Sequence, residues 1–348
     1  MESSMKFRKK RLFLFFVRAA CFCLLAVFLL AYTQYVLTPK YDYGICSMNN
    51  LYAQPENSVD VLVVGSSLVY SGVNTNELWN RYGIAAYDLC SAEQPFWVSY
   101  YVIREALKTQ RPRLIVLDAK PATYLANYSK PGRVVLSTYG IRSLENRIGA
   151  IFACVDDRRE AWMYALGLSP VHGNYENVTA SDFVIPPNNG GRGTDWKGFI
   201  EMNETVSFSP ASFAWTEKEK PINRREEEYV RKIFELAREE GIDVLLLSVP
   251  YIEYPADHAY YNTLWRIAAE YGVEGINFNH ASLCSLMNNA YDFADTQHLN
   301  IKGSEVFSRR LGYELKKRFD LPDRRGDTDF ESYDACLANW EQRKATAR

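Results

Sequence analysis

The sequence has little of what metal centres and disulfide frameworks are built from. It contains four histidines and seven cysteines, and no two cysteines stand at the Cys-x-x-Cys spacing that zinc sites commonly use. Cys21 and Cys23 lie in an apolar run, and the other five cysteines are scattered singly along the chain. We therefore expect no metal site and no full disulfide framework, while one disulfide among the scattered cysteines stays open.

A surplus of basic residues is also missing. The chain has 40 Lys and Arg against 42 Asp and Glu, which gives a formal net charge of −2, and no basic stripe follows the N-terminus. Nucleic acid is therefore not an expected partner. Internal repeats are absent as well, and 348 residues with 47% hydrophobic composition suit one large globular domain or two smaller ones.

The N-terminus carries the one long hydrophobic run. A basic cluster at residues 6–11 precedes an apolar run from Leu12 to Leu37, and about 20 such residues cross a bilayer. Arg18 lies near the basic end, where its side chain can reach the interface, which leaves Ala19–Leu37 as the span. The positive-inside rule then keeps the N-terminus cytoplasmic and places the rest of the chain on the extracytoplasmic side of the cell membrane.

A cleaved signal peptide is the alternative for this segment. Such a peptide has a short apolar core and small residues at an Ala-x-Ala-like cleavage site. Here the apolar run is long, residues 31–34 (AYTQ) are a poor cleavage site, and Cys21 follows no lipobox. We therefore predict a single-pass anchor, with residues 1–37 as basic cytoplasmic tail and transmembrane helix.

Short apolar runs alternate with helical patterns after residue 58. The runs predict strands at Val59–Val64, Ala85–Leu89, Arg113–Leu117, Ile242–Val249 and Gly275–Phe278. Helices are predicted at Asn76–Tyr82, Trp97–Thr109, Glu226–Glu240, Asn262–Tyr271 and Ser304–Phe319. This alternation is typical of a parallel sheet covered on both faces. The predicted fold class is α/β, a flavodoxin-like three-layer sandwich with a mostly parallel sheet of about five strands.

The same patterns divide the chain into segments. They predict a linker at residues 38–58, a main domain at residues 59–320 and a C-terminal tail at residues 321–348. Residues 119–220 interrupt the alternation and contain the turn signals of residues 186–191 (PPNNGG). We expect this stretch to be an inserted cap, helical from Leu144 to Leu166, over the strand ends where ligands bind in such sheets.

Two short motifs carry nucleophile and base chemistry. Ser67, in Gly65-Ser66-Ser67, follows the first predicted strand directly, where a hydroxyl is exposed and backbone N–H groups can hold an oxyanion. Asp295 stands three residues before His298, near enough to orient its imidazole, and a serine needs such a base to become a nucleophile. Each motif alone is common on protein surfaces, but together they predict a catalytic triad.

In this order the two motifs resemble those of the SGNH/GDSL hydrolases. Those enzymes place the nucleophile in a Gly-Asp-Ser-like turn after the first strand, and an Asp-x-x-His motif before the last helix. Ser66 stands where the family usually has aspartate, a substitution also familiar in the D-alanine-transfer proteins of teichoic-acid operons. The resemblance covers residues 59–319, with the middle insertion poorly matched.

The segments around the motifs are similar to a bacterial membrane-anchored SGNH branch that is linked to O-acylation of cell-surface polysaccharides. They are residues 76–79 (NELW), 82–89 (YGIAAYDL), 94–97 (QPFW), 108–118 (KTQRPRLIVLD) and 298–304 (HLNIKGS). The resemblance implies a cell-envelope glycan as substrate. It also implies a membrane-bound O-acyltransferase as partner, which delivers the acyl group across the bilayer.

The chain departs from the family at the residues that stabilise the oxyanion. The family's second block has a glycine where this chain has residues 88–91 (DLCS), and its third block has an asparagine where this chain has residues 118–120 (DAK). A backbone N–H of Cys90 or Ser91, or the side chain of Gln94, is predicted to serve instead, because every residue except proline carries an N–H group.

The resemblance implies an extracytoplasmic serine esterase or O-acyltransferase that needs no cofactor. The alternative is a catalytically degenerate SGNH scaffold that binds glycan or serves as a partner subunit, and the missing family residues motivate it. A lipase-type hydrolase is a third interpretation, which the lack of an evident apolar lid in the insertion makes less attractive.

Overall fold

The computed structural model describes residues 2–40, 43–125, 131–167, 170–184, 196–207, 216–252, 255–280 and 286–346. Cys284 and the predicted turn signals at residues 186–191 lie outside these ranges. The chain forms two compact units. The smaller contains Met1–Pro39 and Trp162–Ile185, and the larger contains Lys40–Ala161 and Pro186–Arg348.

Five strands form one parallel sheet in the larger unit. They are β1 (Val61–Gly65), β2 (Ala86–Cys90), β3 (Leu114–Asp118), β4 (Asp243–Ser248) and β5 (Glu274–Asn277). Their order across the sheet is β2-β1-β3-β4-β5, and every neighbouring pair is parallel. β1, β2 and β3 are buried along their whole length, which explains their continuous apolar sequence. The predicted fold class is confirmed.

Helices cover both faces of this sheet. The α-helices of the described chain are α1 (Glu2–Leu37), α2 (Ile45–Tyr52), α3 (Ser67–Gly72), α4 (Thr75–Tyr82), α5 (Phe96–Ala106), α6 (Pro131–Thr138), α7 (Leu144–Cys154), α8 (Arg158–Leu166), α9 (Arg224–Glu240), α10 (Pro255–Glu270), α11 (Ile301–Arg318) and α12 (Glu331–Thr346). α5 packs with α9, and α11 packs with α3 and α4. The helix predicted from Leu144 to Leu166 is present as two helices, α7 and α8.

The segments predicted as a linker and as a C-terminal tail each contain a helix that is partly buried. α2 lies within the predicted linker, and its residues Met48 and Leu51 are buried. α12 lies within the predicted tail. Its Trp340 is buried, and its Tyr333 ring stacks on Trp79 with centroids 4.9 Å apart. Six of the eight residues of α2 are buried, so it has no polar face, whereas only three residues of α12 are buried. Tertiary contacts therefore stabilise both helices rather than a clear amphipathic period.

The edge of the sheet at β2 is covered by residues 196–199. Asp88 N–H donates to the Lys197 carbonyl oxygen at 2.8 Å. Gly198 has a positive φ of 85°, and a Cβ atom there would lie 1.9 Å from the Asp88 carbonyl oxygen. The Lys197 ammonium donates to Gln54 Oε1 at 2.6 Å, which fixes this short segment in place. An N–H group of the edge strand is therefore paired.

The smaller unit contains α1, whose Arg8–Leu37 stretch has a mean hydropathy of 2.6. None of its most apolar window is buried inside the protein. By length and composition this helix is a candidate membrane span, a test that an N-terminal signal sequence also passes.

Gly65 ends β1 against β3 with no room for a side chain. A Cβ atom at this residue would lie 2.1 Å from Asp118 Cβ. Two carbon atoms cannot approach so closely, so any larger residue would force the ends of the two strands apart.

Gly65→Ala is therefore expected to lower the free energy of unfolding by about 1–3 kcal/mol, the usual cost of overpacking a core. Gly132→Ala is the matched control, because nothing lies within 4 Å of a Cβ atom built there in α6 and alanine favours helix over glycine. Urea unfolding of both variants measures the difference. An unchanged midpoint for Gly65→Ala would contradict the close approach of the strands.

Candidate active site

Ser67 stands at the carboxyl end of β1 and is the first residue of α3. The preceding Ser66 caps this helix, since its side chain accepts from Leu68 N–H at 3.4 Å. Ser67 is half-buried, whereas the residues on either side of it are buried. Its hydroxyl is therefore the one in this turn that a substrate can reach.

His298 and Asp295 come from the loop that precedes α11. His298 Nε2 lies 2.8 Å from Ser67 Oγ, and His298 Nδ1 lies 2.8 Å from Asp295 Oδ2. An ionised carboxylate can only accept, so Nδ1 carries the proton and Nε2 is free to accept from the serine hydroxyl. The structure thus brings together the three residues that the two sequence motifs single out.

Main-chain hydrogen bonds hold the turn that carries Asp295. Its Oδ1 accepts from the N–H groups of Gln297 at 2.7 Å and His298 at 2.9 Å. Ile252 N–H donates to the Thr296 carbonyl oxygen at 3.1 Å. Burial acts to raise the pKa of Asp295, but these N–H groups and the His298 ring outweigh it, so the pKa is lowered. Asp295 therefore stays ionised at neutral pH, and the exposure of 53% of its side chain to water favours the same charged form.

The helix α11 links this loop to the turn that carries Ser67. Ser308 of α11 accepts from Asn74 N–H at 2.7 Å and donates to the Gly72 carbonyl oxygen at 3.2 Å. Both partners lie at the junction between α3 and α4. These buried bonds hold α11, which follows the histidine loop, and the end of α3 in one arrangement.

A second polar network lies behind Ser66. Asp118 Oδ2 accepts from Ser66 N–H at 2.9 Å and from the Ser66 hydroxyl at 2.5 Å. Asp118 Oδ1 accepts from Lys120 N–H at 2.9 Å. Asp118 is only 1% exposed, and burial raises its pKa against the lowering effect of these bonds. The carboxyl group therefore fixes the turn to the end of β3.

The residues predicted to hold the oxyanion lie at and beyond the end of β2, and two of them are engaged within the protein. Ser91 N–H donates to the Gly65 carbonyl oxygen at 3.2 Å. The Gln94 amide accepts from Ser91 Oγ at 2.9 Å and donates to Ser99 Oγ at 3.1 Å. Cys90 is buried, and burial raises the pKa of its thiol. Oxyanion roles for Ser91 and Gln94 would compete with these bonds, so the roles of all three residues stay predictions.

Tyr70 is a residue of this site that the sequence analysis missed. It stands one turn after Ser67 on the same side of α3, and the Ser67 side chain acts to lower the pKa of its phenol. The buried ring stacks on Tyr43, with centroids 5.2 Å apart. Burial raises the pKa of Tyr70, and Tyr43 raises it further, so the phenol stays protonated and can donate. The i+3 spacing from Ser67 was the available signal, and it does not distinguish this role from core packing.

The sequence matches no protein-family model and no curated protein. Among solved structures, the chain is similar to a "putative acylhydrolase" from Bacteroides fragilis, at 13% sequence identity and a TM-score of 0.39. The match covers 78% of this chain and 94% of the other. At this level of similarity the likeness carries no functional information.

The contact between Ser66 and Asp118 predicts which residues this turn accepts. Ser66→Asp would place a second carboxylate against the buried Asp118, and an uncompensated buried charge typically costs about 3–5 kcal/mol. Adding Asp118→Asn removes one of the two charges and is expected to restore much of the loss. Urea unfolding of the single and double variants measures the coupling. Wild-type stability of the Ser66→Asp variant would contradict the buried contact.

Proposed function

We propose that the chain is a membrane-anchored serine esterase or O-acyltransferase that acts on O-acyl groups of a cell-envelope polysaccharide. One observation carries the proposal: Ser67 Oγ lies 2.8 Å from His298 Nε2, and the contact continues at 2.8 Å from Nδ1 to Asp295. This alignment supplies a nucleophile, a general base and a carboxylate that orients the base. The resemblance to the SGNH hydrolases supports acyl chemistry on a polysaccharide.

In the proposed reaction, Ser67 Oγ attacks the acyl carbonyl carbon while His298 Nε2 takes the hydroxyl proton. The tetrahedral intermediate collapses as His298 returns that proton to the leaving oxygen, which leaves the acyl group as an ester on Ser67. Water or a sugar hydroxyl then attacks this ester, again with His298 as the base, and frees Ser67. Hydrolysis and transfer therefore use the same three side chains and differ only in the second nucleophile.

The proposed location follows from α1. The basic residues 6–11 precede the apolar helix, which favours a cytoplasmic N-terminus and an extracytoplasmic catalytic unit. An acyl donor made in the cytoplasm would need help to reach such a site. We therefore propose a membrane-bound O-acyltransferase as the partner that delivers the acyl group, with a cell-envelope glycan as its destination.

A catalytically degenerate scaffold, which binds glycan or serves as a partner subunit, is the second candidate. The bonds that engage Ser91 N–H and the Gln94 amide favour it. Each missing oxyanion donor would cost an esterase about 2.7–4 kcal/mol of transition-state stabilisation. The two candidates differ in the reactivity of Ser67, which can be measured directly.

The full-length protein in detergent is expected to react with a fluorophosphonate probe at Ser67 and to hydrolyse p-nitrophenyl acetate. Ser67→Ala should abolish both signals, because it removes the hydroxyl that contacts His298. Ser71→Ala is the matched control: this serine lies on the same helix, but its hydroxyl donates to the Ser67 carbonyl oxygen, so labelling should persist. Equal background rates for wild type and Ser67→Ala would favour the degenerate scaffold.

We further propose that Tyr70 supplies an oxyanion donor to this site. Its side chain lies one turn from Ser67 on α3, near enough for Ser67 to influence its pKa, and attack by Ser67 Oγ would form the oxyanion in this neighbourhood. A protonated phenol is one of the side-chain donors that stabilise such charge. This donor would compensate for the family glycine and asparagine that the chain lacks.

Tyr70→Phe is therefore expected to lower kcat for p-nitrophenyl acetate by about 10- to 100-fold, since a hydrogen bond to a charged group contributes about 1.5–3 kcal/mol. Tyr43→Phe is the control, because it keeps the ring that stacks on Tyr70 and should leave kcat near the wild-type value. Steady-state kinetics and thermal unfolding of both variants separate catalysis from stability. An unchanged kcat for Tyr70→Phe would remove this residue from the oxyanion site.

A further inference from the structure

The smaller unit exposes apolar side chains beyond those of α1. They lie in residues 162–184 and are Trp162, Met163, Leu166, Tyr175, Phe183 and Val184. Leu166 is 79% exposed. Half of the large hydrophobic side chains that are exposed outside α1 in the described chain fall in this one segment. Exposed apolar groups at this density mark a surface that another apolar phase covers.

Two tyrosines of α1 hold the end of the 162–184 segment. Tyr32 OH donates to the Phe183 carbonyl oxygen at 2.8 Å, and Tyr35 OH donates to the Val184 carbonyl oxygen at 2.9 Å. At a rise of 1.5 Å per residue, both tyrosines lie about 3–8 Å from the end of the helix at Leu37. Because the apolar run extends to the helix end, a bilayer that α1 spans reaches the level of these carbonyl groups.

The middle of the 162–184 segment is tied to the same end of the helix. Asn174 Nδ2 donates to the Leu37 carbonyl oxygen at 2.9 Å. The 3-10 turns His172–Asn177 and Ala180–Phe183 both pack against α1. Gly167 approaches the helix so closely that a Cβ atom there would lie 2.4 Å from the Gln34 side chain. The depth of the segment along the helix axis is therefore set by α1.

The charge pattern of the 162–184 segment indicates which partner fits it. The segment contains no Lys or Arg, and its acidic residues are Glu176 and Asp182. Asp182 accepts from both Thr179 N–H and Thr179 Oγ1 at 2.8 Å, within the segment itself. A surface of Trp, Tyr and aliphatic side chains fits the boundary between lipid headgroups and acyl chains. Without basic residues, it has no means to bind anionic headgroups by charge.

We propose that the 162–184 segment is a second membrane contact, which rests in the bilayer interface beside the C-terminal end of α1 and buries its exposed apolar side chains among lipids. The proposal rests on the proposed membrane anchor, because α1 sets the depth of the segment. Lipid is the occupant because it surrounds the end of a spanning helix at this level. A helix with such a lateral contact cannot rotate freely about its axis. The contact therefore fixes which face of α1 lies against the segment and which face lies against lipid.

Site-specific fluorescence of the full chain in phosphatidylcholine nanodiscs tests this proposal. The environment-sensitive label NBD is attached to Leu166→Cys or to Phe183→Cys, in a background where Cys21, Cys23 and Cys284 are replaced by serine. Phosphatidylcholine that carries a nitroxide near its headgroup serves as the quencher. We expect both labels to show blue-shifted emission, to lose most of it to the quencher, and to do so equally at low and high salt.

Two further labels make the outcomes distinguishable. Leu25→Cys, inside α1, reports helix insertion, and Leu144→Cys, a residue of the larger unit that is 72% exposed, reports non-specific adsorption. If a nitroxide deep in the acyl chain quenches the label at 25, but the headgroup nitroxide does not quench the labels at 166 and 183, the second contact is overturned and the anchor stays intact. An unquenched label at 25, with the nitroxide placed deep in the acyl chain, would overturn the anchor itself. Quenching at 166 and 183 that only equals quenching at 144 would also overturn the second contact.

Discussion

The position of the candidate nucleophile depends on one buried carboxyl group. Asp118, at the end of β3, accepts from both the main chain and the side chain of Ser66, and it lies so close to β1 that residue 65 has no room for a side chain. Ser67 follows directly. The contact that joins the carboxyl ends of two central strands therefore also fixes the hydroxyl that meets His298, at the edge of the sheet where such folds bind ligands.

Most of the fold could be predicted from the sequence because the strands are buried on both faces. A strand such as β1 then has no polar side to interrupt its apolar run, and its ends are marked by the residues of the following turn. Helices α2 and α12 could not be predicted in the same way. α2 is short and buried on most sides, and α12 is held by a few large contacts such as Tyr333 stacked on Trp79, so neither leaves a clear period in the sequence.

The candidate site could likewise be predicted only in part from the sequence. Ser67, Asp295 and His298 could be singled out because their chemistry requires those residue types at the ends of particular elements, and the structure brings them within hydrogen-bond distance. The part played by Asp118 could not be predicted, because the sequence does not show that its carboxyl group meets Ser66. Tyr70 was missed for the same reason: a tyrosine one turn after a serine is an ordinary core residue until the fold shows which groups surround it.

The covered edge of β2 has a consequence for how neighbouring molecules behave. Proteins held at a membrane share a thin layer, where they meet one another far more often than in bulk solution. A sheet with an open edge would then risk pairing with the edge of its neighbour. Here the Asp88 N–H group is already occupied by Lys197, and the segment that carries Lys197 blocks the approach of another strand. The short strap at residues 196–199 therefore disfavours pairing through the β2 edge, and the proposed membrane anchor, which would crowd the molecules in two dimensions, makes that protection more important.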